Sequence, residues 1–262
     1  MKLQIYQVDA FTSELFGGNP AAVVPLEKWL DDITLQNIAA ENNLAETAFF
    51  VKEGDHYNIR WMTPTNEVPL CGHATLASGY VIFNFIDKNL KKIKFTSLSG
   101  ELIVERNGEL LTLDFPSNKP EQIEINETIT KCFDKKPVEV LINGFYILII
   151  FDSEEYVRNY TPNIELLKKV HDHGVIISAK GKEADFVSRM FAPNDGINED
   201  PVTGSSHTVL VPYWSEKLGK KNFRALQVSK RGGELFCENL GERVKISGKA
   251  ALYLEGTVFL NL

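Results

Sequence analysis

Two short stretches set reactive side chains beside a glycine. Residues 67–75 read EVPLCGHAT, with Cys71, Gly72 and His73 in succession, and residues 200–205 read DPVTGS, with Asp200, Thr203, Gly204 and Ser205 close together. A thiol, an imidazole, a carboxylate and two hydroxyls could form a nucleophile and its base, a metal corner, or a cradle for a small polar ligand. The spacing disfavours a Cys–His nucleophile pair, because side chains two apart on a helix do not face each other, so Cys71 and His73 need not touch. It also disfavours a metal, since one Cys-x-His lacks the paired spacings of zinc sites; none is expected. Asp200, Thr203 and Ser205 have a plainer use as helix caps. His171 and His173, in VHDHG, read as surface residues at a helix end. The remaining candidate is Glu46 in NNLAETAFF, a carboxylate interrupting small and apolar residues where a helix should hand over to a strand. A partly buried carboxylic acid can both give and take a proton near neutral pH.

The elements that must position these groups are mostly strands. KLQIYQV, PAAVV, TAFFV, YNIRWM, KIKFTSL, FYILIIF, VIISA and FVSRMF are rich in β-branched and aromatic residues between polar breaks. ELIVERNGELLTLDF reads as a hairpin turning at Asn107-Gly108, the pair that most readily adopts positive φ. Helices are predicted at about 33–43, 73–85, 162–172 and 204–218. An internal repeat organises this list. RWMTPTNEV at 60–68 lines up with RMFAPNDGI at 189–197, and after a three-residue insertion PLCGHAT aligns with PVTGSSH. Upstream, GGNPAAVV parallels NGFYILII, and the counterpart of Glu46 falls near His173-Gly174, where no carboxylate stands.

In each half the glycine opens an apolar helix. GHATLASGYVIFNFI has almost no polar face and should be buried all round, with Ala74, Ala77, Ser78 and Gly79 letting strands approach. GSSHTVLVPYWSEKLG is its partner, with Pro212 predicting a kink. The expected fold is therefore α+β: two pseudo-symmetric domains, each a curled, mainly antiparallel, barrel-like sheet around a central helix. Domains are expected at 1–115, with residues 251–262 able to add a completing strand, and at 116–250, with the active site in the cleft between them. Gly72 and Gly204 would expose helix N–H groups and the positive dipole end to a small carboxylic acid.

Composition narrows the function class. With 262 residues, 44% of them apolar, the chain can bury a sizeable core. Its formal charge of −7 and lack of a dominant basic cluster argue against nucleic acid. FYILIIF is too short to span a bilayer, which takes roughly 20 residues, and no membrane partner is expected. The three scattered cysteines suggest no disulfide framework, and with no signal peptide the expected location is cytoplasmic.

Five stretches in order, VDAFTSELFGGNPAAVV, NNLAETAFF, RWMTPTNEVPLCGHATLASGYVIF, LDFPSNKP and FAPNDGINEDPVTGSSHTVLVPYWSEKLGK, resemble the PhzF-like proteins of the phenazine-biosynthesis isomerase type, within the diaminopimelate epimerase fold. The likeness is weakest over 116–188. It implies a proton shift without a cofactor, often in a homodimer, and PYW around Pro212 recurs in many members. The family's proton-moving glutamate falls on Glu46. His73 and Asp200 match substrate-contacting and proton-assisting positions, and Gly72, Gly204 and Ser205 match the helix starts that hold the substrate carboxylate. Asn19, Cys71 and Thr203 complete the substrate-binding candidates. Epimerase relatives use two opposed cysteines; here Cys71 stands at the first place and Thr203 at the second, and a threonine hydroxyl is too weak an acid or base for that role. The function expected is a cofactor-independent isomerase moving a proton on a small amino or hydroxy carboxylic acid. The alternatives are a non-catalytic carboxylate-binding or protein-interaction member of the fold, and an amino-acid epimerase using Cys71.

Overall fold

The computed structural model describes residues 1–260, so the last two residues of the expected C-terminal strand lie outside the described part. The chain begins with β1 (Lys2–Ala10), β2 (Asn19–Leu26), α1 (Asp32–Asn42), β3 (Glu46–Glu53), β4 (His56–Met62), β5 (Glu67–Val68), α2 (Gly72–Val81), β6 (Lys92–Ser97), β7 (Gly100–Asn107) and β8 (Leu110–Pro116). It continues with β9 (Glu121–Ile123), α3 (Glu127–Cys132), β10 (Glu139–Ile142), β11 (Tyr146–Ile150), α4 (Glu154–Asn159), α5 (Ile164–Leu167), β12 (Gly174–Lys180), β13 (Phe186–Ala192) and β14 (Ile197–Asp200). The rest is α6 (His207–Leu218), β15 (Asn222–Gln227), β16 (Gly233–Asn239), β17 (Arg243–Gly248) and β18 (Ala250–Phe259). The architecture is α+β, with mainly antiparallel pairing. Two compact units are present: one comprises Met1–Asp114 and the chain from Ser247 onward, the other Phe115–Ile246.

In the first unit β1 lies antiparallel to β18 and β2, β2 runs parallel to β3, β3 antiparallel to β4, and β4 parallel to β6, which forms a hairpin with β7. Helix α2 packs against β1, β2, β3, β7 and β18. That enclosure is why its sequence is apolar on every side. At Gly79 a Cβ would come within 2.8 Å of Val104 Cγ1 on β7, so only glycine lets helix and strand meet. A second apolar layer joins α1 to the sheet through Leu35, Ile38, Val24, Phe49 and Met62.

The second unit repeats the wiring: β10 antiparallel to β11, β11 parallel to β12, β12 antiparallel to β13, β13 parallel to β15, and β15 antiparallel to β16. Trp214 of α6 stacks on Phe186 of β13 at 5.8 Å and donates to Ser178 Oγ of β12. The strand register sharpens the repeat. Arg60 pairs with Phe49 and Arg189 with Ile177, so Glu46 is equivalent to Gly174. Val24 then matches Ile149, because these pair with Phe49 and Ile177. The sequence alignment of GGNPAAVV with NGFYILII is thus one residue out, since uniform apolar runs carry no mark of register.

Other expectations need correction. The helix predicted at 162–172 shrinks to the single turn α5, capped by the Asn163 side chain and burying only Leu167. The 73–85 helix is regular to Val81 and then widens into a π-type turn over Ile82–Ile86. The hairpin pairs Asn107 with Leu110, so its turn is Gly108-Glu109, and Gly108 holds the positive φ of 61°. Pro212 stays inside α6. The carbonyl it cannot bond, Thr208 O, instead accepts from the Asn118 N–H at 3.0 Å, which removes the cost of the missing donor.

Candidate functional site

In the first unit three predicted residues come together. Helix α1 ends on Asn43 in the left-handed conformation (φ 50°), and the short turn that follows starts β3 at Glu46, beside Ala21 of the parallel strand β2. Glu46 is 8% and His73 6% exposed. Glu46 Oε2 lies 3.2 Å from His73 Nε2, an ion-pair contact whose angle is not that of a formed hydrogen bond. Asn19 Nδ2 stands 3.2 Å from His73 Nδ1. Cys71 Sγ lies 3.5 Å from the same nitrogen, so Cys71 and His73 do touch. The helical-spacing argument fails because Cys71 is the N-cap, with extended backbone (φ −143°, ψ 110°), and its side chain folds back over the first turn.

The electrostatics of this cluster run in one direction. Burial, then the nearby Glu46 carboxylate, push the Cys71 thiol up, which keeps it protonated at neutral pH. Burial alone would lower the His73 imidazole, but Cys71 and Glu46 raise it well above its ordinary value. Both neighbours thus favour the charged imidazole. A neutral Nδ1 accepts from the Asn19 amide; once protonated it needs an acceptor, and the amide must turn its oxygen inward. Glu46, Cys71 and His73 also offer donor atoms within 4.8 Å of one another.

The second unit assembles Asp200, Thr203, Gly204 and Ser205 after β14. Thr203 donates its hydroxyl to Asp200 Oδ2 in a short hydrogen bond, and both are buried. Gln227, at the end of β15, is 1% exposed and braces the loop: its amide nitrogen donates to Asp200 O at 2.8 Å and its oxygen accepts from the Thr203 N–H at 2.8 Å. Sequence reading passed over Gln227 because a strand-end glutamine carries no motif. Gly204, Ser205 and Ser206 form an i→i+3 turn, with His207, Thr208 and Val209 N–H groups donating to their carbonyls, so the α-helix begins three residues later than expected. Ser205 Oγ lies 2.7 Å from Tyr146 Oη, a partner the sequence did not flag. Ser206, the N-cap of α6, makes no side-chain capping bond.

His207 opens α6 with Nδ1 2.9 Å from Thr203 O, while Nε2 is buried without a hydrogen-bond partner. Burial pushes this imidazole down to about 4. A histidine depressed in the folded state binds its proton more readily when unfolded, so its stabilising contribution is complete above about pH 6.5 and falls as the pH drops toward the folded value, by about 3 kcal/mol in all. His207→Asn, which keeps a donor for Thr203 O, should flatten this part of the stability profile. Urea midpoints at neutral pH and near pH 4.5 check it: an unchanged difference between variant and wild type at the two pH values would refute the assignment.

Comparison with known proteins places this geometry among relatives. Residues 8–256 match the PhzC-PhzF family, described as phenazine biosynthesis-like protein. An uncharacterized isomerase of Pseudomonas aeruginosa is 47% identical over 261 residues, covering 100% of both chains. The crystal structure of a phenazine biosynthesis protein of the PhzF family from Enterococcus faecalis superposes with a TM-score of 0.97 at 46% identity, covering 99% of this chain and 100% of that one. A hydroxyproline epimerase from Agrobacterium vitis shares the fold at a TM-score of 0.62 and 11% identity, covering 98% of this chain and 92% of that one.

Proposed function

Because the chain belongs to the phenazine biosynthesis-like PhzC-PhzF family, we propose that it is a cofactor-independent isomerase that moves a proton on a small amino or hydroxy carboxylic acid. The observation that carries the reading is the buried Glu46–His73 pair, 3.2 Å apart at the start of the enclosed helix α2. Glu46 takes the proton from carbon and returns it to another position of the same molecule, so no oxidant or leaving group is needed. His73, whose imidazole Cys71 and Glu46 raise, and Asp200, held by Thr203 and Gln227, orient the substrate's amine or hydroxyl and ease the charge that develops. The family resemblance supports Gly72, Gly204 and Ser205 as the positions that receive its carboxylate, and Asn19, Cys71 and Thr203 as further binding candidates.

The test is solvent-deuterium incorporation into pooled amino and hydroxy carboxylic acids, read by mass spectrometry. Incorporation into one acid, with its isomer formed, is the expected result; absence of exchange across the pool would favour the non-catalytic alternative. Cys71→Ala separates the isomerase from a cysteine epimerase. A thiol held protonated is a poor base, so the variant should lose less than about tenfold, whereas loss of the reacting base would cost on the order of 10²-fold or more. Among the described residues no helix is long and apolar enough to cross a membrane. The family resemblance supports a cytoplasmic homodimer acting on a small molecule alone.

A further inference from the structure

The strand register makes Glu46 equivalent to Gly174, and Ala21, its neighbour on the parallel strand, equivalent to Tyr146. The two units have exchanged which strand carries the side chain. In the first, alanine faces a glutamate. In the second, glycine faces a tyrosine, and a Cβ on Gly174 would lie 2.4 Å from Tyr146 Cδ1, so the ring fills the space a residue at 174 would need. The ends of the two side chains reach equivalent residues. Glu46 meets His73 at 3.2 Å; Tyr146 meets Ser205 at 2.7 Å; and His73 and Ser205 each follow the conserved-in-both-halves glycine, Gly72 and Gly204.

We propose that Tyr146 is the second unit's counterpart of Glu46, a positioning residue whose hydroxyl donates to Ser205 Oγ and turns the Ser205 proton outward onto a substrate carboxylate. The inference rests on the isomerase reading for the identity of the ligand, and on geometry for the role. Tyr146 is 7% exposed, its ring held by Gly174 on one side and its backbone N–H by Asn143 Oδ1 at 2.8 Å. Burial pushes its phenol up to about 12, so the hydroxyl keeps its proton throughout the neutral range. A tyrosine that cannot ionise does not replace glutamate as a base. Its hydroxyl is a fixed donor. A serine hydroxyl has one proton and can accept on its lone pairs. Accepting from Tyr146 commits Ser205 to donate its own proton elsewhere, and a carboxylate is the acceptor that gains most from it.

The test is a double-substitution cycle read by calorimetric binding of L-serine, L-lactate and 2-aminobenzoate. The wild type should bind at least one of them. Tyr146→Phe and Ser205→Ala should each weaken that binding about three- to tenfold, the range expected for one hydrogen bond. The double variant should be no weaker than Ser205→Ala, because Tyr146 acts through Ser205. A purely structural tyrosine would lower the melting temperature and give additive losses. Additive losses, unchanged binding in Tyr146→Phe, or no binding of any probe by the wild type would each overturn the proposal. Deuterium exchange measured alongside separates the two readings. Glu46-dependent exchange with Tyr146→Phe binding unchanged would sink this inference alone, and coupled binding losses without any exchange would sink the isomerase alone.

Discussion

Glu46→Gln should lower solvent-deuterium exchange into a true substrate by about 10²- to 10⁴-fold, the range for loss of a positioned acid–base group. Glutamine matches the size of the side chain and keeps the start of β3 intact, but its amide neither takes nor returns a proton. The effect should fall on turnover and spare binding, which should change by less than about tenfold, because the carboxylate-holding positions are other residues. The substitution also removes one of the two neighbours that raise His73, leaving Cys71 alone to oppose burial, so the imidazole should lose its proton at a lower pH than in the wild type. Imidazole NMR of the two proteins reads that change directly. Exchange at wild-type rate in Glu46→Gln would remove Glu46 from the mechanism, whatever the NMR showed.

Arg189→Met should destabilise the second unit by about 3 kcal/mol, the lower end of the cost of breaking a buried ion pair. Arg189, on β13, is 7% exposed. It donates Nε and Nη2 to the two oxygens of Glu199 at 2.7 and 2.9 Å, and Nη1 to Tyr160 O at 2.5 Å, where α4 ends. Its guanidinium also lies 5.1 Å from the Phe191 ring. Methionine would fill much of the volume but leave a half-buried carboxylate and the carbonyls of the α4 terminus without their cation. The equivalent fork in the first unit, Arg60 to Glu67 at 2.8 and 2.7 Å, is more exposed, with side chains 24% and 28% accessible. Arg60→Met should therefore cost about 1 kcal/mol, nearer the surface-pair range. Urea unfolding followed by Trp214, the tryptophan of the second unit, checks the larger value. Equal costs for the two arginines would show that burial does not set the strength of these forks. Both link a strand to the segment before a helix start, so the Arg189 variant also tests whether Asp200, next to Glu199, keeps its place.

The parts of this architecture that could be read from the residues are those tied to landmarks with only one alignment. Arg60 with Pro64 recurs at the same interval as Arg189 with Pro193, Gly72 and Gly204 follow with a three-residue insertion in the second half, and the repeat follows from these landmarks. Glu46 stood out because a carboxylate among Leu44, Ala45, Ala48 and Phe49 is out of character with its surroundings. What was hidden depended on backbone direction or on strand register. The Cys71–His73 contact arises from the extended conformation of an N-cap residue, which spacing does not encode. Tyr146 lies in a run of six apolar or aromatic residues, Phe145 to Ile150, where a shift of one position leaves the pattern unchanged. Gln227 acts across 24 residues of chain on Thr203, a distance over which one sequence holds no pairing signal. Ile164, Leu166, Leu167 and Val170 have helical spacing that suggests a longer helix over 162–172, yet after Leu167 the chain must reach β12 at Gly174.

The exchange of side chains between Ala21–Glu46 and Tyr146–Gly174 bears on how such a duplicated chain can change. A carboxylate at position 174 would collide with the Tyr146 ring, while trimming Tyr146 first would leave a void beside Ser205 and strip it of its partner. Each single step is worse than the starting point, so a second acid is separated from this sequence by a valley two substitutions wide. The difference between the two halves is thus held in place by packing: mutation can tune either half, but it cannot readily make them alike again.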